Sequence, residues 1–189
     1  MKRIDNYRFY KDAHNEYGVT AKGVHWDSEY TQNKRFEILT DFVKHDLKNS
    51  SLIDVGCGYG AYITYLKKEK LFPDIYLGID CEKFIIDITS KKFDKNVFIK
   101  CNILKDEIPK ADYLICSGAL NILNQINFLE AIENCFYASK KGFLFNFLIK
   151  HSVHNLSLEI IYSFCKKLTN KVTFSENYLP NDCTIFLEK

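Results

Sequence analysis

Short runs of consecutive apolar residues alternate along this chain with stretches in which apolar residues fall three or four positions apart. Runs of the first kind suit strands buried on both faces, and stretches of the second suit helices with one inward face. The pattern predicts strands at 52–55, 75–79, 96–101 and 112–116, and a fifth that opens at Lys140-Lys141-Gly142 and runs to Ile149. Between them it predicts a helix through Tyr62, Ile63 and Leu66, one over 82–92, and one over 128–138 with Asn127 as its N-cap. Turn residues fall at the joints, in Asn49-Ser50-Ser51, Pro73-Asp74 and Pro109-Lys110. Regular alternation of strand and helix means an α/β fold with a doubly wound, mostly parallel sheet.

After a helix over 156–168 the pattern changes to two strands, 171–177 and 183–188, joined by Pro180-Asn181-Asp182. So short a link permits only an antiparallel hairpin, which brings the sheet to seven strands. Upstream of the core, residues 1–28 are polar and aromatic with little periodicity, whereas 31–47 carries a helical stripe at Phe36, Leu39, Phe42, Val43 and Leu47. The chain reads as one domain over 1–189, with a lid-like segment and helix in 1–48 and a Rossmann-like core in 49–189.

A length of 189 residues is enough for one sizeable core, and 47% hydrophobic with 26% charged residues is ordinary for a globular chain. Lys plus Arg is 26 and Asp plus Glu is 24, and the net charge of +2 makes no strong case for a nucleic-acid partner. The seven cysteines are scattered and never form C-x-x-C, so they read as small buried side chains in a reducing compartment, not as a zinc site. Met1-Lys2-Arg3-Ile4 does not open an apolar signal sequence, and the longest apolar segment, 143–149, falls far below the ~20 residues of a membrane span. The expectation is a cytoplasmic protein with no membrane partner and no metal.

The candidate chemistry sits at Asp54-Val55-Gly56-Cys57-Gly58-Tyr59-Gly60-Ala61, followed by Gly78-Ile79-Asp80. Alternate glycines let the backbone turn sharply and approach a ligand closely, and a carboxylate ending the second strand accepts hydrogen bonds from ribose hydroxyls. Gly56, Gly58 and Ala61 also satisfy G-x-G-x-x-[GA], so the turn alone leaves a nicotinamide dinucleotide open. With Asp54 inside the strand, the full D-x-G-x-G-x-G, and some fifty residues ahead of it, the chain resembles the class I S-adenosylmethionine-dependent methyltransferases.

That resemblance implies a seven-stranded sheet ending in an antiparallel hairpin, and S-adenosylmethionine as cofactor. It implies that Gly56, Cys57 and Gly58 pass under the cofactor, that Asp80, with Cys81 next to it, holds the ribose, and that Asp54 orders the turn or the cofactor's amino group. Asn102 stands where the family usually has an adenine-binding Asp, with the Ile103 N–H reaching the ring, and Ser117-Gly118 leaves the fourth strand at the ligand edge.

Tyr17-Gly18, Gly23-Val24-His25-Trp26, Gln32 and Arg35-Phe36 carry a narrower likeness, to the entry segment of a group of small, mostly uncharacterised bacterial methyltransferases. His25 departs from that group, which often has Gly there. On a helix Gln32 and Arg35 share a face, and Arg35 is a candidate for a bidentate bond to the cofactor's methionine carboxylate. Trp26 is a candidate cover for the cofactor.

Catalytic residues are the least legible. His25, His151 and His154 are the candidate general bases, and Asn121 points to the active site or to a helix cap. His151-Ser152-Val153-His154 has H-x-x-H spacing without a third metal ligand. No Asn/Asp-Pro-Pro-Tyr sequence of the amino-methylating enzymes follows the fourth strand. The expected activity is methyl transfer to a small-molecule acceptor by in-line displacement. A nicotinamide-dependent oxidoreductase and a non-catalytic binding protein stay open beside it, and RNA or protein acceptors are not excluded.

Overall fold

The computed structural model describes residues 6–93, 97–150 and 152–189. Two helices precede the sheet: α1 (Asn6–Tyr17) and α2 (Glu29–Asp41). The core then runs β1 (Ser51–Val55), α3 (Ala61–Lys68), β2 (Ile75–Asp80), α4 (Lys83–Lys92), β3 (Phe98–Lys100), β4 (Ala111–Ser117), α5 (Gln125–Ala138), β5 (Ser139–Leu148), α6 (Leu158–Leu168), β6 (Val172–Glu176) and β7 (Asp182–Glu188). The strand order is β3-β2-β1-β4-β5-β7-β6. The first five strands pair in parallel, and β7 lies antiparallel between β5 and β6. This is the doubly wound sheet and C-terminal hairpin expected from the sequence.

Alternation along the strands separates two cores. On β4, Leu114 and Cys116 face one side while Tyr113 and Ile115 face the other; on β5, Phe143, Phe145 and Phe147 oppose Leu144. The phenylalanine row packs on Phe128 of α5, and the opposite face packs on Leu39 of α2 and Tyr62 and Leu66 of α3. Both faces of the central strands are therefore covered, which leaves the ends of those strands to ligands.

Several local expectations are corrected. Residues 1–28, read as aperiodic, contain α1, whose one buried residue is Ala13. The second helix begins at Glu29, capped by the Ser28 hydroxyl, and ends at Asp41; turns and a 3-10 helix at Leu47–Asn49 complete the stretch. Helix α5 starts earlier than expected, with Asn124 as cap: its Oδ1 accepts the Asn127 N–H at 3.0 Å. Strand β3 is shorter than 96–101, and its expected first residue, Asn96, lies outside the described residues.

Candidate functional site

The glycine turn hangs from β2. The N–H groups of Gly56 and Cys57 both donate to the Ile79 carbonyl, at 2.8 and 3.0 Å. Gly56, Gly58 and Gly60 all adopt positive φ, at 71°, 52° and 74°, the region where a Cβ is penalised. The Gly58 N–H donates to Asp80 Oδ2 at 3.1 Å, and the Glu82 N–H donates to Asp80 Oδ1 at 2.9 Å. Asp80 thus clamps the turn and retains lone pairs for further donors. Burial pushes its pKa up to about 6 against the pull of those N–H groups. Asp54 is buried, accepts the Tyr76 hydroxyl at 2.6 Å, and is raised to about 7 by burial.

Above the carboxyl ends of β1, β2 and β4 opens a cavity of about 1700 Å³. Asp54, Gly56, Cys57, Gly58, Asp80 and Cys81 form its floor, Asn102, Ile103, Ser117 and Gly118 flank it, and Trp26 and Arg35 close over it. The residues singled out for a cofactor thus meet at one cavity. A Cβ on Gly58 would find only Val24 Cγ1, at 3.5 Å, so this glycine opens onto free space. Burial raises the thiols of Cys57 and Cys81, the latter to about 12, and both stay protonated near neutral pH.

Trp26 sits on Gly118: a Cβ there would come within 2.7 Å of the indole. The guanidinium of Arg35 also lies over the indole, 4.7 Å from the ring centroid. Arg35 itself is held by Asp182, with Nε donating to Oδ1 and Nη2 donating to Oδ2 at 2.7 Å. The Nε–Nη2 edge of the fork expected to meet a ligand carboxylate is therefore occupied by a carboxylate of β7, while Nη1 donates to the Thr31 carbonyl at 3.4 Å.

Other expected site residues are engaged within the chain. The Oδ1 of Asn102, the expected adenine acceptor, takes the Leu104 N–H at 3.0 Å in a local turn and keeps a second lone pair. The Ile103 N–H carries no hydrogen bond among the described residues. Asn121 lines the cavity from inside a 3-10 helix (Ala119–Ile122) and is not a helix cap; its Oδ1 accepts the Leu148 N–H at 2.9 Å and its carbonyl accepts the Val153 N–H, tying the end of β5 to the loop after β4. His25 takes the left-handed conformation that Gly would adopt (φ 60°), stacks on Phe9 and donates from Nε2 to the Phe9 carbonyl at 3.0 Å, so it fastens α1. His154 is fully buried against Phe128, its Nδ1 accepts the Leu156 N–H, and burial pushes it down to about 4, so it is a neutral core residue. His151 lies outside the described residues.

The residue pattern offers no sign of Tyr10, which reaches the cavity from α1 and whose hydroxyl is raised well above the ordinary phenol range by burial and then by the Asp80 charge. Nor does it give the bond between the Tyr59 hydroxyl and His14 Nδ1, 2.8 Å long, that latches α1 to the glycine turn. Gln32, from the same helix face as Arg35, also lines the cavity and is 5% exposed.

No family model matches the chain. It is 29% identical over 157 residues to the putative methyltransferase Rv1506c of Mycobacterium tuberculosis, covering 74% of this chain and 93% of that one. Among solved structures it superposes on the magnesium protoporphyrin IX methyltransferase of Synechocystis PCC 6803 with bound S-adenosylmethionine at a TM-score of 0.70, with 14% identity and coverage of 97% and 96%. A methyltransferase of Leishmania major gives a TM-score of 0.73 at 13% identity, covering 97% of this chain and 82% of that one. The plantazolicin methyltransferase BpumL, in complex with a monoazolic desmethylPZN analog and S-adenosylhomocysteine, gives 0.68 at 12%, covering 97% and 90%.

Proposed function

We propose that this protein, whose fold is that of the class I S-adenosylmethionine-dependent methyltransferases, is an S-adenosylmethionine-dependent methyltransferase acting on a small-molecule acceptor. The carrying observation is the meeting of the open Gly58 backbone, the Asp80 carboxylate and the buried Asp54 carboxylate at one cavity. These groups fit a nucleoside bearing an amino acid. Gly58 leaves room for close backbone approach, Asp80 has acceptor capacity for ribose hydroxyls, and Asp54 has no cation among the described residues and suits an ammonium. The Ile103 N–H is a donor for the adenine ring, while the Asn102 carbonyl serves its own turn.

When bound, S-adenosylmethionine supplies an activated sulfonium methyl group. The chain's own task is then to align an acceptor and exclude water, and no side chain need break a covalent bond. Trp26 and Tyr10 wall the cavity toward solvent, and Ser117, Asn121, Leu148 and Val153 line its end beyond β4 and β5. Its volume exceeds the ~300–1,000 Å³ of a pocket for one drug-sized ligand, so acceptor and cofactor have room together. Polar amides and hydroxyls alternating with apolar side chains at that end suit a small molecule. No general base is assigned, because His25 and His154 are committed to structure.

The nicotinamide reading loses ground to topology: a dinucleotide sheet continues past its fifth strand with a parallel sixth, whereas here antiparallel β7 takes that place. All seven cysteines are free, in keeping with a reducing compartment, and we assign the protein to the cytoplasm. No helix of the described residues is long and apolar enough to cross a membrane. Calorimetric titration with S-adenosylhomocysteine and with NAD tests the cofactor: only the former is expected to bind, and binding of NAD alone would replace the reading. Incubating a cell extract with methyl-labelled cofactor tests the acceptor, with label expected in the small-molecule fraction rather than in RNA or protein.

A further inference from the structure

Gln32 is a residue of the entry segment whose surroundings point to a role. It lies on α2, 5% exposed, and its side-chain amide has no hydrogen-bond partner among the described residues. Its remaining exposure is to the cavity it lines.

Two contacts of α2 fix where Gln32 looks. Three residues on, Arg35 reaches Trp26 above Gly118 and Asp182 of β7. Four residues on, Phe36 packs against Tyr62 of α3, with ring centroids 5.0 Å apart. Residues three and four apart share a helix face, so Gln32 faces the space bounded by these contacts, over the turn that joins β1 to α3. Asp54 and Gly56 form the floor of the same cavity. Asp54, hydrogen-bonded only by Tyr76 among the described residues, complements a cation there. A carboxylate in the same place needs a donor; the Nε–Nη2 edge of Arg35 is taken by Asp182 and its Nη1 donates to the Thr31 carbonyl at 3.4 Å, whereas the Gln32 amide has no such engagement among the described residues.

We propose that the Gln32 side-chain amide, and not the Arg35 guanidinium, is the donor of α2 that binds the α-carboxylate of the cofactor's amino-acid end. The proposal rests on the cofactor reading above. It makes Gln32 a discriminator between ligands that carry the amino acid and nucleosides that lack it.

Calorimetry with S-adenosylhomocysteine and with 5'-methylthioadenosine, which has no amino-acid end, tests it without any turnover. A hydrogen bond to a charged group implies that Gln32→Leu loses about tenfold or more in affinity for S-adenosylhomocysteine, with 5'-methylthioadenosine unchanged. Gln32→Glu places a like charge against the carboxylate and loses more than Gln32→Leu for the first ligand only. Thermal melts of both variants, and of Gln32→Met, which keeps the side-chain length, establish that the fold is intact. Wild-type affinity for S-adenosylhomocysteine in folded Gln32→Leu and Gln32→Met, or equal losses for both ligands, overturns the proposal. A wild-type protein that binds neither ligand overturns the cofactor reading, and the proposal with it.

Discussion

Arg35 and Asp182 stand 147 positions apart in sequence and form a buried, two-pronged ion pair, with Nη2 2.7 Å from Oδ2. It joins α2 to the first residue of β7 and presents the face of the guanidinium to Trp26. Removing one partner of a buried pair leaves the other charge without compensation, which typically costs about 3 to 5 kcal/mol. Arg35→Ala should therefore lower unfolding stability by that order in urea titration, and Asp182→Asn should lower it too. Because Trp26 loses its support, Arg35→Ala should weaken S-adenosylhomocysteine and 5'-methylthioadenosine alike. A variant of unchanged stability that loses only the first ligand would mean that the guanidinium serves the ligand directly.

The two buried acids set a pH dependence. Asp54, raised to about 7, and Asp80, raised to about 6, hold their protons more tightly in the folded chain than at the ordinary carboxylate value of 3.8. Between pH about 4 and 7 the folded state therefore binds more protons than the unfolded state, so their contribution to stability falls as pH rises and levels off above about 7. Asp54→Asn should flatten this fall and unfold at a higher temperature than wild type at pH 8. Ligand affinity should run the other way: an ammonium favours ionised Asp54, so S-adenosylhomocysteine should bind more tightly at pH 8 than at pH 6. Identical melting profiles for wild type and Asp54→Asn across this range would remove Asp54 from the titration.

Trp26 is the only tryptophan, which makes its seat on Gly118 directly observable. Gly118→Ala would put a Cβ 2.7 Å from the indole and, at φ 73°, costs about a further 1 to 2 kcal/mol of backbone strain. The expected result is a red-shifted, more quenchable tryptophan emission and weaker binding of S-adenosylhomocysteine. Emission and quenching equal to wild type would place the indole elsewhere in solution.

The fold was legible where local pattern and burial agree. Apolar runs became β1, β2, β4 and β5 because these strands are covered on both faces, and Pro180-Asn181-Asp182 left room only for a hairpin. Helix α1 escaped notice because it carries no apolar stripe; it is held by His14, His25 and aromatic rings around it, with Ala13 alone buried. The start of α5 was misread because Ile126, although apolar, is 77% exposed, so the periodicity begins only at Phe128. Within the site, glycines and strand-end acids could be found from spacing. The partners of Arg35 and Asn121 could not, since each depends on groups 147 and 27 positions away that only the folded chain brings within reach.

The glycines of the turn divide into one that shapes the fold and one that makes room, and substitution should separate them. A Cβ on Gly56 would lie 2.4 Å from the Ala119 Cβ, so Gly56→Ala must push the loop after β4 aside. Overpacking of that kind typically costs about 1 to 3 kcal/mol, and positive φ adds to it. On Gly58 the nearest atom is Val24 Cγ1 at an ordinary 3.5 Å, and the new methyl would project into the cavity. Gly56→Ala should thus show chiefly as a lowered melting temperature. Gly58→Ala should keep most of its stability, paying only the left-handed backbone strain of about 1 to 2 kcal/mol, while losing at least about tenfold in affinity for S-adenosylhomocysteine, or about 1.4 kcal/mol of binding. Melting curves and calorimetry on the same two preparations check this, and a Gly58→Ala variant that binds as wild type would mean that the ligand does not pass over the turn.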